Sequence, residues 1–288
     1  MRNEEATRHE VEHAADGRGL DVVLAQVEIG PDPIANTRTV VQAISKAGSR
    51  GAQLIVLPEA SLCPFDADPV RAAREHGSDF DAAVTEAAEK ASIVAVVGSF
   101  EPAGDGRIAN VLLARGPGLH ADYRKIHLYD AFGFEESRTV VPGDQLSTIE
   151  IAGVTVGLAT CYDVRFPEQF RALADAGAQV VVLPAAWAGG PGKAEHWDLL
   201  TRARALDATV AVLAVDQAPP GGAPREGVMG VGRSAAIAAD GTVLASTDSP
   251  LPQLVEIRVD VADILDARRR IPVLAHGRAA SARLSWCA

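Results

Sequence analysis

Three side chains that could carry out nucleophilic chemistry each follow a strand-like run of apolar residues. Glu59 comes directly after LIVLP, Lys125 follows GLHADYR, and Cys161 follows VTVGLAT. A thiol is mostly protonated at neutral pH, so it needs a base or a cation to activate it. A carboxylate can take and return that proton, and an ammonium group can stabilise a thiolate and then an oxyanion. Together the three residues predict a cysteine nucleophile with a carboxylate base and a lysine stabiliser.

Each residue taken alone also has an ordinary structural explanation. A single Glu after a strand is usually solvated, a Lys at a sheet edge usually faces water, and a buried Cys is commonly inert. The functional interpretation therefore requires the three strands to be neighbours that point the same way, so that the side chains converge. A tight turn after Cys161 would also leave backbone N–H groups free to bind an oxyanion.

The elements that must position these residues alternate between strands and helices, which predicts an α/β fold. We predict Asn36 as the N-cap of the first helix and Gly51 as the residue at which it stops. The loop 126–147 is long and carries Gly, Pro and charged residues, which is typical of functional loops. We predict strands at LDVVLAQVEI, AQLIVLPEAS, SIVAVVGSF, STIEI, VTVGLATC, AQVVVLPAAW, TVAVLAVDQ and PQLVEIRVD, hairpins at IANVLLARG with GLHADYRK and within GVGRSAAIAADGTVLAS, and helices at ANTRTVVQAISKAGSRG, DFDAAVTEAAEKA, FPEQFRALADAG, AEHWDLLTRARALDA and VADILDARRR.

Two distant segments resemble each other, which predicts two similar halves around a pseudo-symmetric core. AGSRGAQLIVLPEAS and ADAGAQVVVLPAAW share a helix end, the tripeptide GAQ, an apolar strand and Leu-Pro. No linker separates the halves, so we predict a single domain over 20–288. The polar, charged residues 1–19 are expected to form a mobile extension.

Composition excludes several classes of function. A formal net charge of −11 argues against a nucleic-acid binder and against docking on an anionic membrane. The three cysteines are widely spaced and no Cys/His cluster is present, so we expect no disulfide framework and no metal site. No apolar segment has the ~20 residues that cross a bilayer, and the N-terminus has no secretory apolar region. These features favour a cytoplasmic protein.

The motifs LIVLPEAS, YRKIHLYD and GLATCYDVRFPEQF resemble the three catalytic motifs of the nitrilase, or carbon–nitrogen hydrolase, superfamily. The resemblance runs from about residue 20 to about residue 275, with the motifs in the family's order. HWDLLTRARALD and RRRIPVLAHGR are similar to the branch that contains omega-amidases and deaminated-glutathione amidases. The resemblance implies a four-layer αββα sandwich of two mixed sheets flanked by helices, and a homodimer or larger homo-oligomer.

The same resemblance implies roles for individual residues. Glu59 would be the general base, Lys125 the oxyanion stabiliser and Cys161 the nucleophile that forms a thioester. The backbone N–H of Tyr162 would complete the oxyanion hole. The family often has a second glutamate in the loop after the lysine, and in GFEES we select Glu136 rather than its neighbour. No metal or organic cofactor is implied.

Three further residues are candidates for contact with a substrate. Arg165 could bind a substrate carboxylate, although an ion pair with Glu168 or Asp163 is the explanation we favour from sequence. Trp187 resembles a pocket-lining aromatic residue. Phe65 is expected in the pocket wall or the core, where relatives often carry Tyr.

The sequence therefore predicts an amidase that acts on small carboxylate-bearing amides, of the omega-amide or deaminated-glutathione type. Within the same fold, hydrolysis of N-carbamoyl amino acids or of aliphatic nitriles remains an alternative. From a different class, a catalytically silent binding or scaffold protein also remains, although the intact Glu59, Lys125 and Cys161 argue against it.

Overall fold

The computed structural model describes residues 17–277. Most of the predicted mobile extension, and Cys287, lie outside the described residues. Gly19, which we assigned to the extension, is already the first residue of a strand.

The first half of the chain alternates strands and helices and then enters the long loop. Its elements are β1 (Gly19–Gln26), α1 (Pro33–Gly48), β2 (Leu54–Val56), α2 (Pro69–Ala91), β3 (Val94–Pro102), β4 (Ile108–Gly116) and β5 (Leu119–Arg124), followed by the short strands β6 (Asp130–Ala131), β7 (Phe134–Glu135) and β8 (Val140–Val141), with a 3₁₀ turn at Glu136–Arg138.

The second half repeats the alternation. Its elements are β9 (Ser147–Ile151), β10 (Val154–Leu158), a 3₁₀ turn at Cys161–Arg165, α3 (Pro167–Asp175), β11 (Val180–Ala185), α4 (Lys193–Ala208), β12 (Ala211–Asp216), a 3₁₀ turn at Pro220–Gly222, β13 (Ala235–Ile237), β14 (Val243–Ser246), β15 (Gln253–Asp260), α5 (Val261–Arg270) and α6 (Val273–His276).

These strands form two mixed sheets and a separate hairpin of β6 with β7. The first sheet has the order β15-β1-β2-β3-β4-β5, with β8 beside β4, and the second has the order β14-β13-β12-β11-β10-β9. The three strands β1, β2 and β3 are parallel, as are β10, β11 and β12. Antiparallel pairings complete each sheet, apart from β8, which runs parallel to β4.

Side-chain alternation along the strands builds the predicted four layers. In β1, Leu20, Val22 and Leu24 face the second sheet, whereas Val23 and Ala25 face α1 and α2. The outer face of the second sheet packs against α3 and α4 through a third apolar cluster. Since both faces of the central strands are covered, these strands are apolar at nearly every position. The αββα sandwich predicted from sequence is therefore confirmed.

The internal repeat places two glutamines in equivalent positions. The backbone N–H of Gln53 donates to the Asp21 carbonyl at 2.8 Å, and that of Gln179 donates to the Thr155 carbonyl at 2.9 Å. The side-chain oxygens accept from the N–H groups of the same two partners. Each GAQ segment thus fastens the start of a central parallel strand, β2 or β11, to its neighbour.

Three helix boundaries differ from the sequence prediction. The N-cap of α1 is Asp32, whose carboxylate accepts from Ile34 N–H, and Pro33 occupies the first helical position. Asn36, our predicted cap, is buried and donates to the carbonyls of Gly30 and Leu62 instead. Gly51 lies beyond the helix end at Gly48. Helix α2 begins ten residues before the predicted segment, because Asp68 caps it and Pro69 fits the first turn.

The long loop folds back onto the first sheet. The β6–β7 hairpin leads into the 3₁₀ turn at Glu136, and β8 then pairs with β4. The N–H of Ile108 also donates to the Thr139 carbonyl at 2.9 Å. These contacts hold Glu136 against the edge of the sheet where β5 ends.

Within residues 17–277, no helix combines the length and the hydropathy needed to cross a membrane.

Candidate active site

Lys125 lies between two buried carboxylates. Its Nζ donates to Oε1 of Glu59 at 2.9 Å, and to Oε2 and Oε1 of Glu136 at 2.9 and 3.1 Å. All three side chains are buried. A buried charge is stable only when it is paired and hydrogen-bonded, and here one cation satisfies two anions. The sequence-selected residues Glu59, Lys125 and Glu136 therefore form one connected cluster.

The strands that carry this cluster are not neighbours, contrary to the condition we set from sequence. Between β2, which precedes Glu59, and β5, which precedes Lys125, lie β3 and β4. The segment after β2 instead runs over β3 at Gly98, where an added Cβ would lie 2.4 Å from the Cα of Glu59. The N–H of Gly98 donates to the Pro58 carbonyl, and Ser61 N–H donates to the Gly98 carbonyl. Glycine is therefore required for this close approach.

Asn110 of β4 connects the two carboxylates and was not singled out from sequence. Its Nδ2 donates to Oε1 of Glu59 at 2.7 Å and to Oε1 of Glu136 at 3.0 Å. Its backbone carbonyl accepts from Lys125 N–H at 2.9 Å. The amide thus separates two like charges and also fixes the residue that neutralises them. The available signal was a polar residue within the apolar strand IANVLLARG.

Of the two neighbouring glutamates, Glu136 is the one that joins the buried cluster. Glu136 accepts from Tyr129 N–H at 2.6 Å in addition to Lys125 and Asn110. Glu135 is exposed and forms an ion pair with Arg138. Glu59 is likewise held from a second side, because its Oε2 accepts from Ala186 N–H at 2.9 Å.

Cys161 comes from the second sheet and occupies a tight turn. It follows β10, opens the 3₁₀ turn and has a φ of 50°, in the left-handed region that few non-glycine residues adopt. Such backbone strain concentrates at functional sites. Thr160 caps the turn, and its N–H donates to Oδ2 of Asp163 at 2.9 Å.

Asp163 ties this turn to the segment that carries Lys125. Its carboxylate accepts from the Tyr123 hydroxyl at 2.6 Å, and from the His127 N–H and Nδ1 at 3.1 and 2.8 Å. Tyr123 is in β5, two residues before Lys125, so one buried carboxylate sets the position of the Cys161 turn relative to the lysine. His127 also stacks on Phe166, with ring centroids 3.6 Å apart.

The charges around Cys161 oppose each other. Burial raises the pKa of the Cys161 thiol, the Glu59 carboxylate raises it further, and the Lys125 ammonium lowers it. The net result is a pKa well above the usual value, so the thiol is protonated at rest. Burial alone would lower the pKa of Lys125, but Glu136 and Glu59 raise it well above its usual range. The site therefore pairs a neutral thiol with a permanently charged lysine.

Arg165 makes neither of the ion pairs that we favoured from sequence. Asp163 is engaged by Tyr123, Thr160 and His127, and Glu168 is exposed on α3. Nε and Nη2 of Arg165 are buried and have no hydrogen-bond partner among residues 17–277. The guanidinium instead lies 5.8 Å from the Tyr162 ring centroid and 5.2 Å from that of Trp187. The ion-pair interpretation is therefore wrong.

The predicted aromatic residues border the same region. Trp187 follows β11, is buried, and donates from its indole N–H to the Lys193 carbonyl at 2.8 Å. Tyr162 is half-buried against Tyr129, with ring centroids 5.1 Å apart. Phe65 packs edge-on against Phe100, and Lys125 Nζ lies 5.9 Å from its ring centroid. Phe65 thus walls the cluster and offers it no hydrogen bond.

Two titratable residues near the site escaped sequence analysis. Lys193, the first residue of α4, is buried, and its Nζ donates to the Tyr129 hydroxyl at 2.8 Å. Asp216, at the end of β12, accepts from the N–H groups of Trp187, Val231 and Gly232 at 2.8, 2.6 and 3.1 Å.

No cluster of His, Cys, Asp or Glu in the described part of the chain could hold a metal ion.

Curated relatives share most of the chain. "Hydrolase Rv0480c" of Mycobacterium tuberculosis is 43% identical over 265 residues, 88% of this chain and 94% of that protein. "Deaminated glutathione amidase" of Escherichia coli O157:H7 is 35% identical over 254 residues, 86% and 94% of the two chains. "Omega-amidase NIT2" of Homo sapiens is 32% identical over 266 residues, 89% and 94%.

Solved structures agree with this relationship. A variant of the amidase from Nesterenkonia sp. AN1 superposes with a TM-score of 0.75 at 27% identity, over 88% of this chain and 96% of that chain. In that structure the acetamide moiety of fluoroacetamide is covalently added at the active site cysteine. The carbon–nitrogen hydrolase family model matches residues 22–269. The chain therefore belongs to the carbon–nitrogen hydrolase family of the nitrilase superfamily and is an enzyme of the amidase type.

Proposed function

We propose that the protein hydrolyses a small carboxylate-bearing amide through a thioester on Cys161. The observation that carries this proposal is the buried cluster in which Lys125 binds Glu59 at 2.9 Å while both bear electrostatically on the Cys161 thiol. The cluster contains a nucleophile, a carboxylate that can act as base, and a cation that can stabilise an oxyanion.

The first half of the proposed cycle forms the thioester. Glu59 takes the thiol proton as the sulfur of Cys161 attacks the amide carbonyl carbon. Lys125 and the backbone N–H of Tyr162 stabilise the oxyanion, because the first N–H groups of a helical turn have no partner within the turn. The C–N bond then breaks, and the nitrogen leaves as ammonia or an amine with the proton from Glu59.

The second half releases the acid. Glu59 takes a proton from a water molecule that adds to the thioester carbonyl. When the C–S bond breaks, the sulfur of Cys161 regains the proton from Glu59. Glu136 touches neither sulfur nor carbonyl in this scheme and is a positioning residue, because it holds Lys125 and Tyr129 N–H.

The carboxylate on the substrate is assigned to Arg165. Its unpaired, buried guanidinium nitrogens lie beside Trp187, and a guanidinium binds a carboxylate through two parallel hydrogen bonds. The relatives named deaminated glutathione amidase and omega-amidase support an amide of this class.

An ammonia-release screen tests the proposal. The panel contains omega-amides of dicarboxylic acids, N-carbamoyl amino acids and aliphatic nitriles. We expect turnover of the omega-amides, and Cys161→Ala should reduce it at least 1,000-fold, consistent with removal of a nucleophile. Cys63→Ala is the matched control, because Cys63 is also buried but lies in the apolar core around α1 and α2.

Mass spectrometry of the quenched enzyme should detect an acyl adduct on the peptide that contains Cys161. Full amide turnover by Cys161→Ala would show the mechanism to be wrong. Carbon dioxide released with ammonia would assign the protein to carbamoyl hydrolysis instead, preferential turnover of nitriles would make it a nitrilase, and no turnover of any compound would favour the binding-protein alternative.

We also propose that the enzyme is a homodimer or larger homo-oligomer, located in the cytoplasm, with a small molecule rather than a nucleic acid or membrane as its partner. The net charge of −11 argues against a nucleic acid or an anionic membrane as partner, because it repels polyanions. Light scattering of the purified protein tests the homo-oligomer, and a monomer mass would contradict it.

A further inference from the structure

Two cations border the Trp187 indole, and neither pairs with a carboxylate among residues 17–277. Lys193 Nζ lies 5.4 Å from the ring centroid and the Arg165 guanidinium carbon lies 5.2 Å from it. The two charges are therefore separated by no more than the sum of these distances. Unpaired cations this close destabilise each other unless an anion joins them.

The ammonium group of Lys193 is enclosed mainly by aromatic rings. Its Nζ is 4.0 Å from the Phe132 ring centroid and 5.0 Å from that of Tyr129, whose hydroxyl accepts its hydrogen bond at 2.8 Å. Burial and the neighbouring Arg165 both lower the pKa of Lys193. An ammonium group offers three donors, and a single hydroxyl accepts from one of them, so capacity remains for an anion.

The position of Lys193 relates it to the reaction centre. Cys161 is close enough that a thiolate there would raise the pKa of Lys193. Lys193 also lines a cavity of about 340 Å³ together with Tyr129, Phe132, Phe134 and Met229. The one carboxylate in this lining, Glu226, is exposed and forms no ion pair with Lys193. A ligand in this cavity would lie beside the ammonium group of Lys193.

We propose that Lys193 is a specificity-determining residue, which together with Arg165 selects acyl groups that end in a carboxylate and lack an ammonium group. The inference rests on the proposed function and deepens it, since it defines the acyl part of the substrate. A carboxylate between the two cations gains two charge-assisted interactions. A substrate ammonium in the same place would be repelled by both, with no described carboxylate paired to either cation.

Three amides of similar length separate the attraction of a substrate carboxylate from the repulsion of a substrate ammonium group. Glutaric acid monoamide carries a carboxylate, pentanamide carries none, and L-glutamine carries a carboxylate with an adjacent ammonium group. For the native enzyme we expect kcat/KM to be highest for the monoamide, by at least 100-fold over either other compound. The ratio of kcat/KM between the monoamide and pentanamide is the readout.

Lys193→Met keeps an unbranched apolar side chain against the rings and removes the charge, whereas Lys193→Arg keeps the charge. We expect the methionine variant to lower the monoamide-to-pentanamide ratio 10- to 100-fold, mainly through a higher KM for the monoamide, and to narrow the discrimination against L-glutamine. The arginine variant should retain most of the ratio. Lys90→Met, on the exposed face of α2, is the control and should leave the ratio as in the native enzyme.

Two outcomes would overturn the inference. The first is a Lys193→Met ratio equal to that of the native enzyme. The second is an equal loss on all three amides in both Lys193 variants, which would show a purely structural role. In either case, loss of turnover in Cys161→Ala would still support the proposed mechanism, so failure of this inference is distinguishable from failure of the proposed function.

Discussion

Glu59 and Lys125 meet at 2.9 Å although two strands lie between the strands that precede them. The contact exists because the chain after β2 passes over Gly98 of β3 and reaches Asn110 of β4, which also fixes Lys125 through its backbone. With Glu136 the cluster carries two carboxylates and one ammonium group, all buried. The position and charge of Lys125 therefore depend on Glu136 and Asn110 as well as on Glu59.

Glu136→Gln should lower kcat about 10- to 100-fold while KM changes little, because the size of the side chain is kept and the charge beside Lys125 is lost. With one carboxylate fewer, the pKa of Lys125 should fall toward its usual value, as Glu136 is the first of the groups that raise it. Steady-state kinetics over a pH series measures both effects. Glu135→Gln, in the exposed neighbour, is the control, and an equal loss in both variants would contradict the positioning role.

Asn110→Ala should destabilise the fold and slow the reaction. The substitution removes donors to two carboxylates, and hydrogen bonds to charged groups contribute about 1.5–3 kcal/mol each. Urea unfolding measures the first effect and kcat the second. Asn110→Asp is nearly isosteric but adds a third carboxylate. It should therefore lower both the free energy of unfolding and kcat more than Asn110→Ala does. A smaller loss in Asn110→Asp than in Asn110→Ala would refute the bridging role.

Gly98→Ala should lower the free energy of unfolding by about 1–3 kcal/mol, in line with overpacking of a dense interior. The new Cβ would lie 2.4 Å from the Cα of Glu59 and 2.6 Å from Ala60 N, so relief requires movement of the residue that serves as base. We therefore expect kcat to fall as well. Gly104→Ala, where nothing lies within 4 Å of the added Cβ, is the matched control. Unchanged kcat in a folded Gly98→Ala would contradict the argument.

The sequence predicted the parts of this site that local pattern determines. Residues that follow apolar strands, such as Glu59 and Cys161, are recognisable because strand ends are where α/β sites are built. The motif resemblance then selected Glu136 over its neighbour. The sheet order was not predictable in the same way. The strands β2 and β5 could have been adjacent, but β3 pairs with β2, β4 pairs with β5, and β3 pairs with β4, so two strands separate them.

The residues that were missed act through contacts distant along the chain. Asn110 reaches Glu59 across 51 positions, and Asp216 reaches Trp187 across 29. The local sequence of a strand such as IANVLLARG does not predict which buried side chain will contact its Asn. The capping error at α1 was of another kind, since Asp32 followed by Pro33 was itself a signal for a helix start.

Asp216 gives a prediction about pH and stability. Burial raises the pKa of Asp216 to about 7, although the N–H groups of Trp187, Val231 and Gly232 lower it. An unfolded Asp titrates near 3.9. Between these values the folded protein binds more protons than the unfolded chain, so this group's contribution to stability is fully present below about pH 4 and is lost as pH rises through about 7.

Asp216→Asn removes this titration. Other groups titrate in both proteins, so their effects cancel when the unfolding free energy of the variant is subtracted from that of the native protein. We expect this difference to fall by roughly 1 kcal/mol per pH unit between pH 5 and pH 7, because one unit of pKa shift corresponds to about 1.4 kcal/mol. Urea unfolding at pH 5, 6, 7 and 8 measures it. A difference that stays constant, or that rises with pH, would mean that the three N–H donors outweigh burial and that Asp216 is ionised in the folded protein throughout this range.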